Sequence, residues 1–244
     1  MSSTETFNRF LARQPILSPD RKFFAYEILS RYAPENYCRP TPGSPVAEKA
    51  MDELFLMGVR TITEGLPAFM NCTRDFLLSD YLTLMPKELI VGEILETVPP
   101  DEEVLSACYR MKDQGYRLAL DDYCDLPEMQ PFLAIADFVK IDVLLTTFAE
   151  QERLVNICQR REIPVVAEKV ETDEQFRRCV DIGYDYFQGY FFCRPQVVER
   201  RGVPANKTVY LQLLQAANAP LFDLHHISMI FRRDVSLSYV CCDT

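Results

Sequence analysis

From Ala68 to Phe192 the chain alternates short apolar runs with amphipathic segments, and most of the apolar runs close on a polar side chain. Alternation of this kind implies parallel strands joined by crossover helices. The strands read as Ala68–Asn71, Leu89–Leu95, Arg117–Asp122, Phe138–Val143, Pro164–Val170 and Tyr186–Phe192. The helices read as Arg74–Met85, Glu102–Gln114, Leu126–Ala136, Phe148–Arg161 and Asp173–Ile182. Gly115 and Gly183 stand where helix stops belong, and Thr172 stands where an N-cap belongs.

Upstream, Arg9–Leu17 and Phe23–Tyr32 read as two further strands around the turn Ser18-Pro19-Asp20-Arg21. That turn is too short for a crossover helix, so one strand near the N-terminus must run antiparallel. Residues 33–44 read as a loop. Met51, Leu54, Phe55, Val59 and Ile62 place a helix over Val46–Thr63. About eight strands in a chain of 244 residues favour closure. The expected fold is therefore α/β, a modified TIM (β/α)8 barrel with one antiparallel strand, plus a short helical C-terminal tail.

That tail begins after Arg194-Pro195, where Val197–Gly202, Lys207–Ala219 and Leu224–Arg232 read as helices. The expected division is a barrel over 1–203 and the incomplete start of a helical domain over 204–244. No apolar run reaches the roughly 20 residues that span a membrane, and Met1-Ser2-Ser3-Thr4-Glu5 lacks signal-peptide character. The expectation is a cytoplasmic protein without membrane insertion. Nine cysteines without CxxC spacing read as reduced thiols. The only histidines, His225 and His226, are adjacent, which argues against a histidine metal site or a Ser-His-Asp triad. A net charge of −10 argues against a DNA-binding surface. It still admits a small anionic ligand if bound metal cations invert the sign of an acidic site.

Six successive strands end on Glu27, Asn71, Glu93, Asp121-Asp122, Lys140 and Glu168 (with Glu171 just beyond), and a seventh carries Gln188. In a barrel such ends converge on one face. Oxygen-rich, histidine-free ligands suit Mg²⁺ or Mn²⁺, and adjacent carboxylates can bridge two ions in phosphoester chemistry. Taken singly, each residue has a plain structural alternative. A glutamate in a strand is commonly a salt-bridged surface residue, and Lys140 beside Asp142 reads as an ion pair. Taken together, the acids lie in apolar runs where unpartnered burial is costly.

The residues that carry a family pattern are Gln14-Pro15-Ile16, Tyr26-Glu27-Ile28-Leu29-Ser30-Arg31, Met70-Asn71, Glu93-Ile94-Leu95-Glu96, Leu120-Asp121-Asp122-Tyr123, Val139-Lys140-Ile141-Asp142, Val166-Ala167-Glu168-Lys169-Val170-Glu171-Thr172 and Phe187-Gln188-Gly189-Tyr190. In these blocks the chain resembles the EAL domain of cyclic di-GMP signalling, from about residue 9 to Pro195. The tail resembles the start of an HDOD domain, as in the subgroup where EAL precedes HDOD. The resemblance implies a cyclic di-GMP phosphodiesterase that makes pGpG with two Mg²⁺ or Mn²⁺ ions. It implies Glu27, Asn71, Glu93, Asp121 and Asp122 as metal ligands. Glu168 would be the general base, Lys140 would position the attacking water, and Glu171 would support the site. Gln188 would hold the metal-water network, while Arg31 and Gln14 would meet the nucleotide. A homodimer and a downstream signalling partner at the HDOD-like region complete the implied picture.

Three departures qualify it. The signature Glu-Ala-Leu is Glu93-Ile94-Leu95. The family's Ala-Glu-Gly is Ala167-Glu168-Lys169. After the two aspartates the family's glycines and hydroxyls are replaced by Tyr123-Cys124-Asp125-Leu126-Pro127-Glu128. The kept acids favour a phosphodiesterase and the altered loop favours a non-catalytic cyclic di-GMP receptor. A protein-interaction scaffold without nucleotide binding is the third reading, and an unrelated metal-dependent barrel enzyme such as an aldolase the fourth.

Overall fold

A computed structural model describes residues 7–30, 54, 58–79 and 81–202. Its strands are β1 (Phe7–Leu17), β2 (Phe23–Ser30), β3 (Ala68–Cys72), β4 (Ile90–Ile94), β5 (Arg117–Leu120), β6 (Phe138–Asp142), β7 (Val165–Glu168), β8 (Tyr186–Phe187) and β9 (Gln196–Gly202). The α-helices are α1 (Val59–Thr63), α2 (Arg74–Leu78), α3 (Glu102–Asp113), α4 (Gln130–Leu133), α5 (Phe148–Gln159) and α6 (Asp173–Ile182). Strands β2 to β8 pair in parallel, each with the next. Strand β1 closes the ring, antiparallel to both β2 and β8. The barrel is thus closed over eight strands, with its single reversed strand at the N-terminal end. The barrel belongs to a compact unit over Phe10–Val198.

The strand alternation explains both core and site. On one parity, Ile16, Ala25, Phe69, Val91, Ala119, Phe138 and Val166 form a buried cluster with one residue from each of β1 to β7. Phe69 on β3 meets Phe138 on β6 with ring centroids 5.3 Å apart. Those strands are not neighbours, so the contact crosses the barrel interior. Phe24 and Tyr186 add to this plug, their rings stacked at 3.8 Å, where the β1–β2 register slips at Ile16/Leu17. The other parity, including Tyr26, Met70, Ile90, Leu118, Val139, Val165 and Phe187, packs outward against helical residues such as Val104, Cys108, Met111 and Leu154. Strands covered on both sides read as continuous apolar runs, which is why these did.

Local signals set the helix ends. Asp101 caps α3 by accepting from Val104 N at 2.9 Å, and Thr147 caps α5. Thr172 and Gln175 make a reciprocal capping box at α6, which stops at Gly183 with φ 100°. Cys72, Cys108, Cys158 and Cys179 are free and buried, and Cys124 and Cys193 are free and accessible. Burial pushes the Cys108 and Cys158 thiols up to about 12, as expected of packing residues.

Several expected elements are corrected. The expected helix over Val197–Gly202 is strand β9 instead. Val197 and Val198 supply β-branched character that a short-helix reading overlooked. The last barrel strand covers only Tyr186–Phe187, because Gln188 and Gly189 turn back onto Val170. Arg74–Met85 divides into α2 and a 3₁₀ turn over Tyr81–Leu84. Leu126–Ala136 divides into a 3₁₀ turn over Pro127–Met129 and α4, with Pro127 and Pro131 removing two amide donors. Most of the expected helix over Val46–Thr63, and all of the region 204–244, lie outside the described residues, as does Arg31.

Candidate metal centre and nucleotide pocket

Two residues above each member of the apolar plug, on the same face of the same strand line, stands a polar side chain. Ala25 is followed by Glu27, Phe69 by Asn71, Val91 by Glu93, Ala119 by Asp121, Phe138 by Lys140, Val166 by Glu168 and Tyr186 by Gln188. On the reversed strand the same offset runs backwards, from Ile16 to Gln14, and Gln14 pairs with Glu27 across the sheet. Period-two alternation therefore builds one ring of polar groups directly on the apolar plug.

Lys140 sits at the centre of this ring and is 1% exposed. Its Nζ pairs with Glu93 Oε1, with Glu168 Oε1 at 2.6 Å, with Glu27 Oε2 at 3.5 Å and with Asp121 Oδ1 at 3.6 Å. Burial opposes its charge, but the carboxylates of Glu168, Glu27, Glu93 and Asp121 outweigh burial and hold its pKa well above the ordinary value. Burial pushes Glu93 well above the usual carboxylate range against the pull of Lys140. The same opposition leaves Glu168 at about 8. Asp122 is raised too, by burial first and then by the adjacent Asp121.

Amides orient the acids. Gln188 Nε2 donates to Glu27 Oε2 at 2.5 Å and to Gln14 Oε1 at 3.2 Å, and Asn71 Nδ2 donates to Glu27 Oε1 at 3.3 Å. Gln14 Nε2 in turn donates to the Cys193 carbonyl at 3.3 Å. Gln188 is fixed by its own backbone, whose N–H donates to Ala167 O at 2.8 Å and whose carbonyl accepts from Val170 N at 3.0 Å. The next residue has to be glycine, since a Cβ on Gly189 would lie 2.1 Å from the Val170 carbonyl oxygen.

Among the described residues two carboxylate groups arise. Glu27, Glu93 and Glu168 bring ligand oxygens within 4.8 Å of one another, and so do Asp121, Asp122 and Glu168. Glu168 belongs to both. Glu93 Oε2, Asp122 Oδ1 and Gln188 Oε1 are buried without a hydrogen-bond partner among the described residues. All three are hard oxygen acceptors, and an all-oxygen donor set of this kind fits a divalent cation of the Mg²⁺ or Mn²⁺ class.

Above the ring opens a pocket of about 370 Å³, whose polar wall includes Gln14, Glu27, Asp121, Asp122, Glu168 and Gln188. Glu171 is exposed at its edge and belongs to neither carboxylate group. Asn71, Glu93 and Lys140 do not line it. Leu29, Leu144 and Tyr190 give it apolar surface, a contribution that the polar pattern in the sequence did not signal. The ion pair read between Lys140 and Asp142 is replaced. Asp142 pairs with Lys169, while its Oδ1 accepts from Leu144 N at 2.7 Å and Leu145 N at 3.1 Å.

The altered loop after Asp122 is ordered by a different device. Asp125 accepts from Tyr123 Oη at 3.2 Å, from Gln130 Nε2 at 2.7 Å and from Arg153 Nη1 at 2.6 Å. Tyr123, whose N–H donates to Lys140 O at 3.0 Å, anchors the loop in the core.

A family model described as the EAL domain matches residues 73–195. The chain is 32% identical over 237 residues to the uncharacterized protein YuxH of Bacillus subtilis, covering 94% of this chain and 58% of that protein. It is 30% identical over 240 residues to the cyclic di-GMP phosphodiesterase CdgJ of Vibrio cholerae, covering 96% and 55%. The chain thus spans little more than half the length of these relatives. Among solved structures, the manganese and cyclic di-GMP complex of BlrP1 from Klebsiella pneumoniae shares the fold, with a TM-score of 0.62 at 23% identity over 78% of this chain and 56% of that one.

Proposed function

The chain belongs to the EAL domain family, and from that premise we propose that its polar ring binds cyclic di-GMP and hydrolyses one phosphodiester to give linear pGpG. The observation that carries this reading is the pair of carboxylate groups sharing Glu168, built around one buried lysine. Two divalent ions, Mg²⁺ or Mn²⁺, would be held by Glu27, Asn71, Glu93, Asp121 and Asp122. Bound there, such ions supply charge neutralisation to the phosphate and acidify an attacking water.

The chain's own residues supply the rest. Glu168, as the carboxylate, accepts a proton from the water that attacks phosphorus. The P–O bond to the 3′ ribose oxygen breaks, and that oxygen takes up a proton from solvent. Lys140 neutralises the converging acids and orients the water. Gln188 and Asn71 hold the Glu27 carboxylate in place. Gln14 stands at the pocket wall for the nucleotide, Glu171 supports the edge, and Arg31 belongs to the same proposal for a substrate phosphate. The proposal extends to a homodimer and to a signalling partner engaged through 204–244.

The test is to incubate the purified chain with cyclic di-GMP and Mn²⁺, then with chelator, and to follow pGpG by chromatography. The expected result is metal-dependent pGpG that Glu27→Ala abolishes. Absence of product with the wild-type chain would overturn the enzyme reading. The second reading, a non-catalytic receptor, draws support from the rebuilt loop over Tyr123–Glu128. It would be favoured if the same samples retained intact cyclic di-GMP on the protein.

A further inference from the structure

Lys169 follows Glu168 at the end of β7, where the backbone is left-handed with φ 56°. Asp122, across the site, is also left-handed with φ 40°. That conformation is uncommon for a lysine and less so for an aspartate. Together they aim a cation and a carboxylate at one another. Lys169 Nζ lies 3.8 Å from Asp122 Oδ2 and pairs with Asp142 Oδ2. Lys169 and Asp122 both line the pocket.

The charge balance differs between the two halves of the site. Around Lys140, four carboxylates face one buried cation. Lys140, at 1% exposure, has no route out. Around Lys169, two carboxylates face one cation, and Asp142 is further satisfied by two backbone N–H groups. In that half the Lys169 ammonium offsets part of the acid charge of Asp122 and Asp142. The Lys169 side chain is also 49% exposed, and a long flexible ammonium can leave for solvent with little rearrangement.

On the proposed reading of the ring as a divalent-cation centre, we propose that Lys169 is a resident counter-ion of the Asp121–Asp122 position. One divalent ion is held tightly at Glu27, Asn71 and Glu93. A second enters at Asp121 and Asp122 only by displacing the lysine. Lys169 is then a positioning residue that makes the two metal affinities unequal, and it sets the metal concentration at which the site fills.

The test is a Mn²⁺ titration of the full chain, with free Mn²⁺ read by electron paramagnetic resonance, so that no turnover is needed. Lys169→Gly and Lys169→Asn remove the cation while suiting the left-handed backbone, so both variants keep the fold. The wild-type chain is expected to bind a first ion tightly and a second weakly. Both variants should strengthen the second step by at least about tenfold and leave the first unchanged, since a like charge is removed a few ångströms away. Lys169→Arg should keep the weak second step. Equal affinities in the wild type, or a second step that neither variant moves, would overturn the proposal while leaving the metal centre standing. If neither wild type nor variants bind Mn²⁺, the metal reading itself fails and takes this proposal with it.

Discussion

Lys140 and Gly189 show how much rests on single side chains. Lys140 is the one cation among the four carboxylates it touches. Lys140→Met keeps most of the volume and leaves those charges uncompensated, a change that costs about 3 kcal/mol when a buried ion pair loses one partner. Urea unfolding in the presence of chelator should show that loss, and added Mn²⁺ should recover part of it; an unchanged midpoint would contradict this account. Gly189→Ala places a methyl group against the Val170 backbone rather than against a movable side-chain tip. The strand end must shift, with an expected cost of about 2 kcal/mol in the same assay. Lys140 was visible in the sequence as the end of an apolar run, and Gly189 only as part of the block Phe187-Gln188-Gly189-Tyr190. Lys169 was visible only as a departure from a motif. Nothing in a string of letters says that a lysine adopts a left-handed backbone and turns toward an aspartate two strands away.

At the scale of elements, the loop over Tyr123–Glu128 is the instructive case. Read as sequence, its lost glycines argued for a damaged site. In the fold, Asp125 gathers Tyr123, Gln130 and Arg153 into one network. The Arg153 guanidinium is the main cause that holds the Asp125 carboxyl below its ordinary value, with Tyr123 and Gln130 helping against burial. A depressed folded value means that the stabilisation is present above the unfolded carboxylate pKa and lost as pH falls through the folded one. Asp125→Asn should therefore lower stability by about 1 kcal/mol at neutral pH, and the gap to wild type should close below about pH 4. Urea midpoints across that range check the sign, and a gap that persists in acid would be the wrong outcome. Helix ends were legible wherever a cap was written locally, as at Thr172 with Gln175 or at Gly183. The end of strand β8 and the whole of strand β9 were not, because a two-residue strand is closed by its neighbours and Val197–Gly202 carries no helix cap to test against.

For the molecule as a whole, the antiparallel β1 and the parallel remainder followed from one short turn and a repeated alternation, so closure could be read before any coordinates. Which acids would share a proton could not, since that depends on depth below the pocket floor. Glu168 keeps its proton up to about 8 in the metal-free fold, against 4.5 for an ordinary glutamate. A raised folded value gives stabilisation that is full below the unfolded pKa and is lost as pH rises through the folded one. The metal-free protein should lose stability between about pH 5 and about pH 8. A divalent ion bound beside Glu168 favours its deprotonated form, so the rise in Tm on adding Mn²⁺ should be larger at about pH 8.5 than at about pH 6.5. Equal rises at the two values, measured by scanning calorimetry, would count against it. No helix among the described residues is long and apolar enough to cross a membrane.

The plug and the ring occupy alternate levels of the same strands. Ala25 and Val91 belong to the plug, and Glu27 and Glu93, two residues on, belong to the ring. Inheritance can act on the two levels separately: a lineage can discard its chemistry while keeping its body, or re-cut its chemistry without refounding the body. In such a barrel the shape testifies to ancestry, and only the upper level testifies to trade.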